Sequence, residues 1–222
     1  MDGPNPNDLE RRFNMAKKES TFKNMAITLL VITLAASACL AFVYNVTKGP
    51  IELVQIENKN KSIQEVLPGI NNQPFAERYK IPSDGDSLNC YPGKQDGELI
   101  GVAVETYSKK GYSGFISIIV GFKPDGTIIN YSVIEHKETP GLGNKMTEWF
   151  KTNKKEQSVL GKNPGKNNLT VNKDGGEVDA ITAATISSRA FCDAIQRAYN
   201  AYMNAENTGK KPSVSTQLNT EL

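Results

Sequence analysis

The sequence is poor in metal-binding side chains. It has one histidine, His136, and three cysteines, Cys39, Cys90 and Cys192, in 222 residues. Their spacing carries no metal-ligand signature, so no zinc or iron–sulfur site is expected in this chain. His136, between Glu135 and Lys137, reads as a loop residue. Charge is nearly balanced, with 26 Lys and Arg against 24 Asp and Glu and a net charge of +2, which leaves no footprint for nucleic acid. There is no Gly-Lys-Ser/Thr phosphate loop and no Gly-x-Gly-x-x-Gly after a strand. Gly126, Gly141 and Gly143 read as turn residues. No nucleophile–base pair or carboxylate dyad stands out, so no residue is assigned a catalytic role. Nothing repeats internally.

Long apolar runs are scarce too, and the one exception is informative. From Asn24 to Thr47 there is no charge, and Met25 to Val46 is strongly apolar. That matches the roughly 20 residues a helix needs to span a bilayer. Arg11, Arg12, Lys17, Lys18 and Lys23 precede it and only Lys48 follows closely. The positive-inside rule then puts the N-terminus in the cytoplasm and the remainder outside. A cleaved leader is the rival reading, because Ala36-Ser37-Ala38 is an A-x-A pattern and Cys39 follows it. The apolar run continues through Leu40 to Tyr44, past both possible cleavage points, which favours a retained anchor. Either reading exports the rest of the chain. Cys39 is then a small apolar residue, while Cys90 and Cys192 either pair outside or stay free.

Beyond the anchor, Ile51 to Leu67 carries apolar residues among charges and reads as a helical stalk stopped by Pro68-Gly69. Residues 71–90 read as turn-rich. Glu98 to Tyr107, Phe115 to Phe122 and Thr127 to Ile134 are β-branched and read as strands, the last two joined as a hairpin across Pro124-Asp125-Gly126. Gly143 to Lys151 suggests a short helix. The Lys-rich stretch from Lys151 to Lys166 reads as a solvated loop. Val171 and Val178 to Ile181 suggest a last short strand. An α+β domain with a curled antiparallel sheet and flanking helices fits this order best.

The most informative segment lies near the end: Asp179-Ala180-Ile181-Thr182-Ala183-Ala184-Thr185. Thr185 offers a hydroxyl, and Ala183 and Ala184 leave room for a bulky group to approach the backbone. From Ile186 to Tyr199 the apolar positions Ile186, Ala190, Phe191, Ala194, Ile195 and Ala198 recur at helical spacing. Thr182 or Thr185 therefore lies at or near a helix start, where a phosphate is favoured by free N–H groups and the dipole. A plain Thr-capped helix accounts for the same residues.

This run resembles the acceptor for covalent flavin attachment, Asp-x-x-(Ser/Thr)-Gly-Ala-Thr. Gly111-Tyr112-Ser113-Gly114 resembles the Gly-Tyr-x-Gly strand of FMN-binding domains. Glu135 to Gly143 resembles their His-x-Glu-Thr-Pro-Gly-Leu-Gly loop. In this order the three resemble the G subunit of the Rnf ion-translocating electron-transport complex, with the C subunit of the sodium-pumping NADH:quinone oxidoreductase as near neighbour. One departure stands out: Ala183 occupies the usual Gly position, which is tolerable only at negative φ.

The resemblance implies FMN esterified through its phosphate to Thr185, with Asp179 read by an external flavin transferase and Thr182, Ala183, Ala184 and Ile186 around the attachment point. The loop Thr139-Pro140-Gly141-Leu142-Gly143 would offer backbone N–H groups and a small apolar surface to the flavin ring. Glu138, Tyr112 and Ser113 are weaker candidates, with Glu138 equally readable as a solvated carboxylate and Tyr112 as core. The implied layout is a cytoplasmic arm over 1–23, a transmembrane helix over 24–47 and a stalk with its turn-rich lead-in over 48–90. An FMN-binding domain over 91–205 and a loose polar tail over 206–222 complete it. The implied function is electron carriage within a multisubunit membrane complex that couples ferredoxin:NAD electron transfer to sodium or proton export, with no activity alone. A non-redox, membrane-anchored scaffold is the competing class.

Overall fold

The computed structural model describes residues 21–208; Arg11, Arg12, Lys17 and Lys18 of the arm, and the tail past residue 208, lie outside the described residues. The chain divides into two compact units, residues 1–55 and 56–222, and the division falls within the first helix. That helix, α1 (Phe22–Val66), is continuous, so the separate anchor and stalk expected from the sequence are one element. Pro50 lies inside it without ending it. Its first part is long and apolar enough to cross a bilayer. The hydroxyls there are returned to the backbone: Thr28 donates to the Asn24 carbonyl, Thr33 to Leu29 and Ser37 to Thr33. Such self-satisfaction is what hydrocarbon demands of polar groups. The helix ends just before Pro68-Gly69, as expected.

In the second unit five strands form one antiparallel meander in the order β1 to β5. They are β1 (Tyr79–Ser83), β2 (Asp86–Gln95), β3 (Glu98–Gly111), β4 (Gly114–Phe122) and β5 (Ile128–His136). The segment expected to be turn-rich thus holds β1 and most of β2. Two-residue turns, Asp84-Gly85 and Asp96-Gly97, close the first two hairpins, and all four residues have positive φ. That is the chemistry of a type I′ turn, whose twist matches the flanking strands. Gly111 pairs with Gly114, so Tyr112-Ser113 is the tip of the β3–β4 hairpin rather than part of a strand. Register shifts in β2, β3 and β4 mark bulges, which bend and twist a sheet and account for its curl.

Both faces of the sheet are covered. Ile118 and Val120 face the larger core and Ile119 faces the smaller one, beside Ile63, Val66 and Leu67 at the end of α1. This explains why β4 reads as a continuous apolar run instead of an alternating one. On the larger face lies α3 (Thr185–Asn207), whose buried Ala190, Ala194, Ala198 and Ala201 permit close approach to the strands. Thr106 Oγ1 donates to the Ala194 carbonyl at 3.0 Å, and Ser108 Oγ to Asp193 at 2.7 Å. A 3-10 turn (Gly143–Lys145) and the short helix α2 (Met146–Trp149) follow β5. The last expected strand reduces to a single parallel bridge, Val171 to Val178.

Two expectations change here, and one left open is decided. Lys151 and Lys162 are not merely solvated: Lys151 pairs with Glu65 at 2.6 Å, and Lys162 with Glu156 at 3.3 Å. Ile186 is exposed and stands outside the buried stripe of α3. Cys90 and Cys192 are both buried and free. Burial pushes the Cys192 thiol up to about 12, so it stays protonated and inert near neutrality.

Phe191 fixes α3 in place, stacked on Phe150 at 4.3 Å and edge-on to Tyr131 at 4.7 Å. Phe191→Ala should cost about 3–5 kcal/mol through the cavity it leaves. Thermal unfolding in mild detergent checks this, and an unchanged midpoint would contradict the packing.

Candidate functional site

The three motif segments meet at the start of α3 around a cavity of about 570 Å³. Ordinary small-molecule sites fall in the range of about 300–1,000 Å³. Tyr112, Glu138, Thr139, Leu142 and Gly143 line one side, and Ala183, Ala184, Thr185, Ile186 and Ser187 the other. Ser113, Pro140, Gly141, Asp179 and Thr182 are not among its lining residues. Tyr112, read as possible core, is 70 % exposed at its hairpin tip. Leu142 and Ile186 are also exposed, so the cavity has an apolar rim.

Glu138 ties the segments together. It is 5 % exposed, which overturns its reading as a solvated carboxylate. Its Oε1 accepts the Ser113 backbone N–H at 3.0 Å, and its Oε2 accepts the Ser187 hydroxyl at 2.6 Å. Its own N–H donates to His136 Nδ1 at 3.2 Å. Gly111 and Gly143 flank the carboxylate closely. A Cβ on Gly143 would sit 2.6 Å from Glu138 Oε2 and 2.5 Å from Ser187 Oγ, and one on Gly111 would sit 2.7 Å from Glu138 Oε1. At Gly111 the Gly114 carbonyl oxygen, 2.6 Å away, excludes a side chain as well, so only Gly143 is tied to the Glu138–Ser187 pair alone.

The Thr139–Gly143 loop spends much of its backbone on itself. Leu142 N–H donates to the Thr139 carbonyl at 3.1 Å and Gly141 N–H to Asn144 Oδ1 at 2.7 Å. The Gly141 and Leu142 N–H groups are therefore engaged within the loop, where they hold the turn that presents the Leu142 side chain.

At the head of α3 the N-cap is Ala184, which makes no side-chain cap bond, and Thr185 is the first helical residue. The plain Thr-cap explanation therefore lacks its hydrogen bond. Ala184 N–H closes a turn onto the Ile181 carbonyl at 2.9 Å, and Ala183 occupies its third position with φ +61°. The expectation of negative φ is overturned. A positive φ at that place in a turn is what favours glycine, so the backbone has kept the motif's shape while the side chain strains it.

Next to this turn Asn172–Asp174 forms a 3-10 turn closed by Gly175 in the left-handed region. Lys173 Nζ donates to Thr185 Oγ1 at 3.2 Å. Asp179, the motif's acid, accepts from Asn172 Nδ2 at 2.6 Å, and its carbonyl accepts the Trp149 indole N–H at 2.9 Å. Sequence reasoning missed Lys173 and Ser187. Asn172 to Gly176 signals a turn by composition, but nothing in it names the partner of its lysine.

The FMN-binding domain family matches residues 111–200, the span containing every element of this cavity. Over 195 residues the chain is 33 % identical to the G subunit of the ion-translocating oxidoreductase complex of Aliivibrio fischeri, covering 81 % of this chain and 89 % of that protein. The chain belongs to the family of these G subunits. The corresponding G subunit of Methanosarcina acetivorans is 33 % identical, covering 81 % of this chain and 93 % of its own. The G subunit of the Na(+)-translocating ferredoxin:NAD(+) oxidoreductase complex of Acetobacterium woodii is 30 % identical, covering 81 % and 91 %. The resemblance drawn from three short segments thus extends over most of the chain.

The residues present suit FMN. Leu142, Ile186 and the alanines offer apolar contact for a flat ring, with Tyr112 at the edge. The Thr185 hydroxyl and the Lys173 ammonium offer polar contact for a phosphate. Two substitutions of opposite sign test the geometry. Ala183→Gly should relieve strain and stabilise the protein by about 1 kcal/mol. Gly143→Ala should force Glu138 from Ser187 and cost about 1–3 kcal/mol, with loss of FMN. Thermal unfolding and flavin content measured on the same samples check both, and equal signs would refute the account.

Proposed function

We propose that this chain is the electron-carrying subunit of a membrane complex that couples ferredoxin:NAD electron transfer to sodium or proton translocation. In this reading FMN is joined covalently through its phosphate to Thr185, installed by a flavin transferase that recognises the Asp179-to-Thr185 segment. The observation that carries the reading is the Thr185 hydroxyl. It lies on the cavity wall, half-buried, at the first position of α3, and is not spent on capping the helix. Bound FMN supplies reversible electron uptake and release. The chain's own residues bind and orient: Leu142 and Ile186 flank the ring, Glu138 holds the walls together, and the start of α3 receives the phosphate. Among the described residues no group of His, Cys, Asp and Glu is arranged to hold a metal ion. The chain with its single flavin therefore needs partner subunits for the steps before and after it.

Protein purified from its native membrane should carry one FMN, less water, on the peptide containing Thr185. Thr185→Ala should abolish the adduct and the fluorescent band on a denaturing gel. Covalent flavin persisting in that variant would sink the assignment.

The same reading puts the FMN domain on the outer side, with α1 as a retained anchor whose basic flank stays in the cytoplasm. Lys154 is exposed in the second unit. A Lys154→Cys variant should react with an impermeant thiol reagent in intact spheroplasts, above the level of the parent protein. Labelling that needs a broken membrane would reverse the orientation.

A further inference from the structure

We propose that Lys173 is a positioning residue for the phosphate borne by Thr185, resting on the reading of Thr185 as the attachment point. Three consecutive side chains of one short turn reach the acceptor segment and the helix turn that follows it. Asn172 donates to Asp179 at 2.6 Å, Lys173 to Thr185 Oγ1 at 3.2 Å, and Asp174 accepts from Arg189 Nε and Nη2 at 2.7 and 2.6 Å. These partners are the first residue of the motif, its last residue, and a residue one helical turn beyond. The paired fork of Arg189 holds the Asp174 carboxyl below the usual carboxylate range, so the clamp stays charged near neutrality. Lys173 is thus the middle of a turn pinned on both sides.

The turn is shaped for this placement. Gly176 N–H donates to the Val171 carbonyl at 3.1 Å, and Val171 and Val178 form a bridge across its base. A Cβ on Gly176 would sit 2.1 Å from the Thr170 carbonyl oxygen, so the backbone there admits no side chain. With its neighbours tied down on both sides, the backbone of this exposed lysine is already placed, and only side-chain freedom is lost when its ammonium takes a partner.

The chemistry of the partner follows from what Thr185 becomes. A phosphodiester on Oγ carries one negative charge on two non-bridging oxygens, two bonds beyond the atom that Lys173 now contacts. An ammonium has three rotatable donors and can move from the hydroxyl to those oxygens without a change of backbone. It acts there as a point charge on a phosphate. The start of α3, whose N-cap makes no side-chain bond, adds its N–H groups and dipole to it.

The test uses the full chain expressed with its native maturation system. Intact mass follows the fraction carrying FMN after induction, and the 31P shift of the attached flavin is read on purified protein. Lys173→Gln should slow accumulation of the adduct about tenfold, the effect of losing one charge-assisted contact. It should also displace the 31P resonance. Lys173→Arg should restore both, and Lys166→Gln should change neither. Normal accumulation with an unmoved 31P signal in Lys173→Gln overturns the proposal while leaving Thr185 as the anchor. So does equal loss in the Gln and Arg variants, since the charge would then be irrelevant. Absence of any adduct on wild-type Thr185 overturns both readings together.

Discussion

The carboxylate of Glu138 is the constraint from which the rest of the site follows. It is buried at the meeting of three segments far apart in sequence, and each of its oxygens accepts one hydrogen bond from a different segment. A buried carboxylate without partners is costly, so the hairpin tip and the helix must both stay within reach of it. That requirement sets the spacing of Ser113 and Ser187, and with the Ser187 hydroxyl it excludes a side chain at Gly143. Gly143, which reads as a turn residue, is thus a consequence of one buried side chain, while Gly111 is required by the hairpin backbone as well.

What Glu138 joins is held from outside by the sheet and α3. Thr106, Ser108 and Lys110 on β3 all bond to the 193–194 stretch of α3, two turns past its start. Phe191 locks the same stretch against Phe150 and Tyr131. The N-terminus of α3 is therefore placed by contacts well inside the helix, and need not be held by a cap. That leaves the Thr185 hydroxyl and the neighbouring N–H groups available, which an ordinary capped helix would not.

The sequence alone makes β3, β4, β5 and α3 legible, because β-branched runs and a 3.6-residue stripe survive without tertiary information. It leaves β1 and β2 hidden. Pro82, Pro92 and Gly93, with Asp, Ser and Asn around them, have the composition of turns, and only pairing with β3 makes them strands. The signal was nonetheless present in Asp84-Gly85 and Asp96-Gly97, two-residue turns of the strongest hairpin type. At the site, the motifs bring the right segments to attention, but not the parts their residues play. Tyr112 is exposed because a hairpin tip places it there. Glu138 is buried because Ser187, 49 residues away, lies against it. Lys173 depends on a turn whose partners lie on the far side of a bridge. Such roles are set by long-range contact, which residue type and spacing do not encode.

Ala183 shows the limit in the other direction. The motif position is shaped for glycine, and the backbone keeps φ at +61° although a methyl group opposes it. The closing bond from Ala184 to Ile181, and the bonds of Ser188 Oγ to Ile181 N–H and the Ala184 carbonyl, hold that turn against its local preference. An exposed rim of Tyr112, Leu142 and Ile186 adds a second tension. A redox group must lie near the surface to exchange electrons with a partner, yet a shallow apolar rim holds a freely dissociating ligand weakly. On the proposed reading, attachment at Thr185 removes that conflict. The tether keeps the local concentration of the flavin high however open the cavity is, so the walls need only orient it. A turn that resists a local strain of about 1–2 kcal/mol to keep its shape is what such a fixed attachment point requires.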